Sequence, residues 1–364
     1  MKTQKYTLNL GPQHPSTHGV LRVVLELDGE ICTEATTVIG YLHRGMEKLA
    51  EKRTYAQFIP YTDRLDYLAG LTNELGYVQA IEKLVGIEVP ERAEYIRVIT
   101  AELMRMASHL LGVGVFIMDV GAVTGVFYPM IEREKILDLF SMICGARLTF
   151  NYIRIGGVAQ DLPEEFFPAV NKFIDEFPKA LEQYERLVND NEIFKLRTKN
   201  VGVITAEEAM SYGLSGPCLR GSGVNHDVRK VNPYSIYDRF DFNIPVGING
   251  DCYDRYIVRM EEVKESFKII KQALKQMPEG PTMAKVPKIL KPPVGDVYHQ
   301  IENAKGVYGT YLVSDGTVNP YRTHFRRPSY NNLSIFDKLF VGHKIADIVA
   351  IIASFDFDLG EVDA

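Results

Sequence analysis

Residues 5 to 40 alternate apolar and polar side chains in short runs. Leu21-Arg22-Val23-Val24-Leu25-Glu26-Leu27 is followed by Asp28-Gly29, and Ile31 to Val38 supplies a second run. A period of two interrupted by Asp-Gly predicts a β-hairpin with one buried face. From about residue 44 to 280 the period lengthens. Leu68, Leu71, Leu75, Val78, Ile81 and Val85 recur at three and four, which predicts a helix ending near Gly86. Pro90 opens another, with Ile96, Ile99, Leu103, Met106 and Leu110 on its buried face. Further helices are predicted at about 130–144, 164–190, 205–212 and 251–277, the third started by a Thr205/Glu208 capping box. Residues 278–296, rich in Pro, Gly and Lys, read as an exposed linker. Beyond it come short strands, Gly306 to Val313 around an Asp315-Gly316 turn, and a helix near 334–349. The expected fold class is α+β, with a β-rich region at 1–43, a helical bundle core at 44–280, and a C-terminal β segment and terminal helix at 281–364.

Charge and cysteine usage narrow the classes of function. The 364 residues carry 47 Asp and Glu against 41 Lys and Arg, a net charge of -6, which argues against nucleic acid as the main partner. The four cysteines, at 32, 144, 218 and 252, form no Cys-x-x-Cys pair. Disulfide-framework and zinc-ribbon readings fail, and reduced, buried thiols in a cytosolic protein are expected. Met1 to Lys5 leads into no long apolar run, so a signal peptide is not expected. The most apolar stretches, Leu110 to Met118 and Ile345 to Ala353, fall short of the roughly 18 to 20 residues that span a bilayer. The expectation is a soluble chain able to dock on a membrane complex.

Three groups of residues offer chemistry. Gly11-Pro12-Gln13-His14-Pro15-Ser16-Thr17-His18-Gly19 is a tight loop between strands. His14 and His18, four apart, would share a metal only on a helix, which Pro15 opposes; hydrogen bonding within their own loop is the plain alternative. Tyr61-Thr62-Asp63-Arg64-Leu65-Asp66-Tyr67 stands at the start of the first long helix, where acidic residues suit the helix dipole. Alternatively, Tyr67 offers a phenolic proton beside an apolar ligand. Asp119 ends an apolar helix face, where a buried carboxylate calls for a cationic or donor partner, a histidine or an arginine. His109 reads as a hydrogen-bonded core group, as do His226, His299 and His343. Arg326-Arg327-Pro328 reads as a solvated basic turn or as a contact for an acidic neighbour or lipid headgroup. The run Gly213 to Gly223 lacks the dinucleotide fingerprint and the P-loop lysine, and reads as turns for close packing. Neither Gly-x-Ser-x-Gly nor His-Glu-x-x-His is present.

From Gly11 to Arg22 the sequence resembles the 49-kDa-type (D-type) subunit family of proton-pumping NADH:quinone oxidoreductase, respiratory complex I. Similar blocks follow at Gly40 to Lys48, Tyr61 to Tyr67, Ala107 to Leu111, Gly156 to Pro163, Gly213 to Gly223 and Gly360 to Asp363, so the resemblance runs the whole length. It implies a helical bundle with a β-rich N-terminal part, similar to nickel–iron hydrogenase large subunits. It also implies a peripheral-arm subunit on the cytoplasmic side of the cell membrane, inactive as an isolated chain. The implied partners are the B-type iron–sulfur small subunit, the 30-kDa-type (C-type) subunit and the H-type membrane-arm quinone-channel subunit. No cofactor is implied on this chain alone; the terminal [4Fe-4S] cluster belongs to the adjacent subunit. Carried over by position, the quinone headgroup ligands are His18, in the N-terminal loop, and Tyr67. Asp119 falls on the acidic partner of that histidine, and Arg44 resembles an arginine beside the cluster. His18 and Tyr67 would supply the two protons of quinone reduction, with Asp119 holding His18 charged. Release of that charge is a plausible trigger for distant proton pumping.

Two positions depart from the family pattern. Gly145-Ala146-Arg147-Leu148 is followed by Thr149 where many members have a histidine near the cluster. Its absence predicts a lower, nearly pH-independent cluster potential, which suits menaquinone. Ala364 replaces a common terminal Arg, and nothing is drawn from it. The chain starts at the family's N-terminal β region, so it is expected to be unfused from its 30-kDa-type partner. The rival readings are a non-catalytic scaffold and a hydrogenase large subunit. The latter needs four thiolates, and His43 to Glu47 and Asp356-Phe357-Asp358-Leu359 hold none.

Overall fold

The computed structural model describes residues 5–13 and 19–364. The predicted hairpin forms two strands of an antiparallel sheet, β1 (Lys5–Leu10), β2 (Arg22–Asp28) and β3 (Ile31–Val38), in that order. Val23, Leu25 and Leu27 face the core, as the period of two requires. Two short helices follow, α1 (Met46–Glu51) and α2 (Tyr55–Thr62). The long stripes become α3 (Gly70–Val85) and α4 (Glu91–Asp119). After them come α5 (Phe127–Cys144), the two-residue strands β4 (Ile153–Arg154) and β5 (Gly157–Val158), and α6 (Phe166–Asn189). Short helices α7 (Glu192–Thr198), α8 (Ala206–Ser211), α9 (Gly216–Gly221) and α10 (Val228–Val231) lead to α11 (Cys252–Gln276). The predicted Thr205/Glu208 capping box opens α8 with both reciprocal bonds present.

Helix α4 is buried on nearly every side, because α3, α5 and α11 pack around it. It is long and apolar enough to cross a membrane by length and composition, yet 83% of its apolar window is buried inside the protein, the setting of a core helix. Its central place also buries Arg97, Glu102, Arg105 and His109, each of which meets an ionic partner. Arg97 pairs with Glu82 (2.6 Å), Glu102 with Arg229 (3.1 Å) and His109 Nε2 with Glu262 (2.9 Å). Arg220 joins Glu262 to Glu302 from the other side. Charges taken out of water persist only when so partnered. His109 is thus the core group its position predicts; burial lowers its pKa although Glu262 opposes the shift. His299 is likewise bonded, to Gln79 (3.0 Å), and burial pushes it down to about 4. His226 and His343 are only half-buried.

Residues 278–294 are largely exposed and irregular, tied to the β4–β5 turn by Ala284 N donating to Gly156 O (2.8 Å). The third sheet, after the β4–β5 pair, is antiparallel, β6 (Gly295–Asn303), β7 (Gly306–Ser314) and β8 (Arg322–Arg326), with Lys305 in the tight β6–β7 turn. The single helix expected near 334–349 is instead three pieces: α12 (Pro328–Leu333), α13 (Phe336–Leu339) and α14 (Ile345–Phe355). The cause is tertiary. Gly342 N donates to Cys32 O (2.8 Å) and Cys32 N to His343 O (2.9 Å), so β3 captures this backbone in an antiparallel bridge at Ile31–Lys344. A last turn, α15 (Leu359–Val362), completes an α+β fold with a helical core between two β-rich ends.

Candidate functional site

Three segments distant in sequence meet at one end of the helical core. The first is the loop before α1. Gly40 N and Leu42 N each donate to the Asp363 carboxylate (2.8 Å both), and Arg44 Nη2 donates to Arg64 O (2.8 Å) and Gly360 O (2.6 Å). The second is the turn from 63 to 69, which carries Tyr67. It lies between α2 and α3 and ends at Ala69, the N-cap of α3, so its acids stand just before the first turn of the first long helix, where they suit the helix dipole. Asp63 is the C-cap of α2, and Asp66 accepts from Leu68 N (3.1 Å). The third is the C-terminal tail, where Asp358 caps α15 by accepting from Gly360 N (2.6 Å).

Gly360 allows this convergence. A Cβ there would stand 2.8 Å from Leu65 O, 2.9 Å from Asp358 Oδ1 and 3.1 Å from Tyr67 Cε1. Asp358 and the Tyr67 ring therefore approach to within about 6 Å or less. Tyr67 is half-buried, and its phenol is pushed up to about 12, first by burial and then by the charges of Asp358 and Asp66, against Lys305 and Arg44. A phenol so held keeps its proton until a strongly basic acceptor arrives.

Behind Tyr67 lies a buried ionic cluster. Lys305 Nζ meets Asp356 Oδ1 at 3.1 Å and Ser108 Oγ at 3.4 Å, and Arg259 Nε stands 3.6 Å from Asp356 Oδ2. Burial alone would raise the Asp356 pKa, yet Lys305 and Arg259 hold it below its usual range. Asp66, Asp358 and Glu361 go the other way. Burial, and then one another's charge, raises Asp358 strongly and lifts Glu361 to about 8. Asp66 is raised by burial and by Asp356, with Lys305 opposing.

His18 and residues 14–17 of its loop lie outside the described residues, so Tyr67, Arg44 and Asp119 are placed and His18 is not. Tyr67 and Arg44 come together through Gly360, while Asp119 sits half-buried at the far C-terminal end of α4, two turns beyond Gly112, where Asp356 packs. Lys305, Asp356, Asp358 and Glu361 received no site role from the sequence. The one signal for the three acids is the run Asp356-Phe357-Asp358-Leu359-Gly360-Glu361-Val362-Asp363, whose interspersed apolar residues bury the acids between them; Lys305 has none. The solvated-turn reading of Arg326-Arg327 is overturned. Arg327 Nη1 holds Val362 O (3.1 Å) and Ala364 O (2.8 Å), and Arg326 Nη1 holds Val307 O (2.5 Å), so both clamp backbone. A cavity of about 480 Å³ opens elsewhere, lined by Ile59, Asn151, Arg154, Val286 and Leu290. Among the described residues no group of three or more His, Cys, Asp or Glu is placed to hold a metal ion.

Residues 119–293 and 288–364 match the family described as respiratory-chain NADH dehydrogenase, 49 Kd subunit. The chain belongs to this family. Its fold is accordingly related to that of hydrogenase large subunits. Full-length relatives agree. The chain is 57% identical over 364 residues to the NADH-quinone oxidoreductase D subunit of Desulforamulus reducens, covering 100% of both chains. It is 58% identical over 363 residues to the corresponding D subunit of Clostridium beijerinckii, covering 100% of this chain and 98% of that one. The D subunit of Bacillus anthracis is 54% identical over 364 residues, again with 100% of both chains covered. Family membership removes the hydrogenase reading as an activity, in keeping with the absence of cysteine at His43 to Glu47 and Asp356 to Leu359.

Proposed function

We propose that this chain is the component of a membrane-associated, proton-translocating NADH:quinone oxidoreductase that forms the quinone-headgroup site together with the iron–sulfur small subunit. The observation that carries the reading is the Tyr67 phenol, half-buried where three segments converge, its pKa raised first by burial and then by Asp358 and Asp66 behind it. In this reading Tyr67 and His18 hydrogen-bond the two quinone oxygens and give up their protons as the ring is reduced. Asp119 orients His18 and favours its imidazolium form. The 30-kDa-type subunit and the membrane-arm quinone-channel subunit complete the assembly on the cytoplasmic side.

The neighbouring subunit's [4Fe-4S] cluster would supply electrons when bound. Arg44 fits a place beside it: two of its bonds go to backbone carbonyls, while its buried Nε has no hydrogen-bond partner among the described residues. A fixed guanidinium there lends positive potential to a reduced, anionic neighbour. In the assembled complex, Tyr67→Phe and His18→Ala should each lower NADH:quinone activity at least tenfold and leave NADH:ferricyanide activity intact, as expected for loss of a proton donor. Full quinone activity in both variants would remove the assignment.

Thr149 follows α5 where many family members have a histidine, and it brings no titrating cation. We expect the cluster's potential to stay nearly constant across neutral pH, a setting that suits menaquinone, and Thr149→His to make it pH-dependent. A redox titration of the two complexes decides this; a steep slope in the native complex would count against it.

A further inference from the structure

We propose that Asp358, acting with Glu361 and Asp66, is the buried acid that returns a proton to Tyr67 after Tyr67 has protonated the reduced quinone. The inference rests on the quinone-site reading above and adds the source of the second-turnover proton. Its basis is geometry and charge count. Asp66, Asp356, Asp358 and Glu361 are all buried, and the cations set among them are Lys305 and Arg259. Both cations approach Asp356. Arg44 and Arg327 flank the cluster but direct their donors to backbone carbonyls of residues 64, 360, 361, 362 and 364. Asp66, Asp358 and Glu361 are therefore left to share what remains of the Lys305 charge. Three ionised carboxylates in so dry a place are far costlier than an arrangement that retains a proton.

Asp358 is the member placed to pass that proton on. Its Oδ1 accepts from Gly360 N, while its buried Oδ2 has no hydrogen-bond partner among the described residues. Asp358 Oδ1 stands within about 6 Å of Tyr67 Cε1, across Gly360; the phenolic oxygen is two bonds from that ring carbon, so bound water or a movement of the turn carries the proton between the two groups. Glu361 Oε2 accepts from Ser329 N (2.8 Å), and its Oε1 is buried without a hydrogen-bond partner among the described residues. The pKa directions agree with this reading: Asp358 and Glu361 are raised by burial and by their acidic neighbours, and Tyr67 is raised as well.

The proton balance closes. The Tyr67 O–H bond breaks as a quinone oxygen takes its proton. The Asp358 carboxyl O–H then breaks as the phenolate O–H re-forms. The remaining carboxylate is held near Lys305 until solvent reprotonates it, and no electron moves in this step. Asp358 is thus a positioning residue that acts through Tyr67.

The test is stopped-flow and steady-state quinone reduction by the assembled complex, using NADH and a short-chain menaquinone. Asp358→Asn should leave the first turnover within twofold of the native rate and slow later turnovers about tenfold. Asp358→Glu should restore most of the loss. The native steady-state rate should fall as rising pH empties the store, whose charged neighbours are Asp66, Tyr67, Lys305, Asp356, Glu361, Arg44, Arg259 and Arg327. Glu361→Gln should flatten that fall. An Asp358→Asn complex with native steady-state turnover, or one that loses its first turnover with ferricyanide activity intact, overturns the inference. If Asp358→Asn does not assemble, Glu361→Gln decides: slowed later turnovers support the store, and a native rate and pH profile overturn it. Tyr67→Phe separates the two readings. It should lose the first turnover, and if it does not, the quinone-site assignment itself fails.

Discussion

Lys305→Met is expected to destabilise the chain by about 3–5 kcal/mol, the cost of removing one partner from a buried ion pair. Methionine keeps most of the apolar stem and removes the ammonium, with its charge and its contacts to Asp356 and Ser108. Asp356 would then rely on Arg259, 3.6 Å away, while Asp66, Asp358 and Glu361 would lose the cation that each feels most strongly. The direction with pH follows from the sign of their shifts. A carboxylate whose folded pKa lies above its unfolded value stabilises the fold fully below the unfolded value, and that contribution is lost as pH rises through the folded one. Glu361, lifted to about 8, already gives the native chain such a decline between its ordinary range near 4.5 and about 8. Without Lys305 the folded pKa values climb further, so the variant's deficit should be largest at alkaline pH and should shrink on acidification. Denaturant unfolding at several pH values measures this. A pH-independent deficit would show that lost packing, not lost charge, is the cause, and an unchanged midpoint would contradict the ionic account of the cluster.

The cluster also shows where sequence reading stops. Helices α3 and α4 and the α8 capping box are legible because their cause is local: spacing at three and four, and a Thr–Glu pair three apart. The break at Gly342 is not, because its cause is a bridge to β3 some 300 residues earlier in the chain. Lys305 stands in a hairpin turn, Asn303-Ala304-Lys305-Gly306, where a lysine ordinarily faces water. Nothing local says that α4, α9 and the C-terminal tail close over it. Tyr67 is legible from its residues as a phenol able to serve an apolar ligand, Arg44 only through the family resemblance, and the structure brings the two together through Gly360. Asp119 is legible as a helix-terminal carboxylate, but its proposed partner His18 lies outside the described residues.

The position of Lys305 depends in turn on a pair of glycines, and Gly216→Ala should cost about 3 kcal/mol through strain and overpacking. Gly216 has φ +64°, and a Cβ on it would fall 2.3 Å from Gly306 Cα, 2.7 Å from Gly306 N and 2.8 Å from Lys305 O. All three atoms are backbone, so no side chain can rotate away; α9 and the β6–β7 turn must separate. Gly213 supplies the control. It has φ +67° with nothing within 4 Å of its Cβ position, so Gly213→Ala meets the conformational cost alone, about 1 kcal/mol. The difference between the two variants in denaturant unfolding isolates the backbone contact. Moving the turn also moves the Lys305 ammonium away from Asp356. Gly216→Ala and Lys305→Met should therefore be less than additive in a double-mutant cycle, because the first already forfeits part of what the second removes. Simple additivity would mean that the turn can shift while the flexible lysine stem keeps its ammonium in place, which would uncouple the close packing of α9 from the charge balance behind Tyr67.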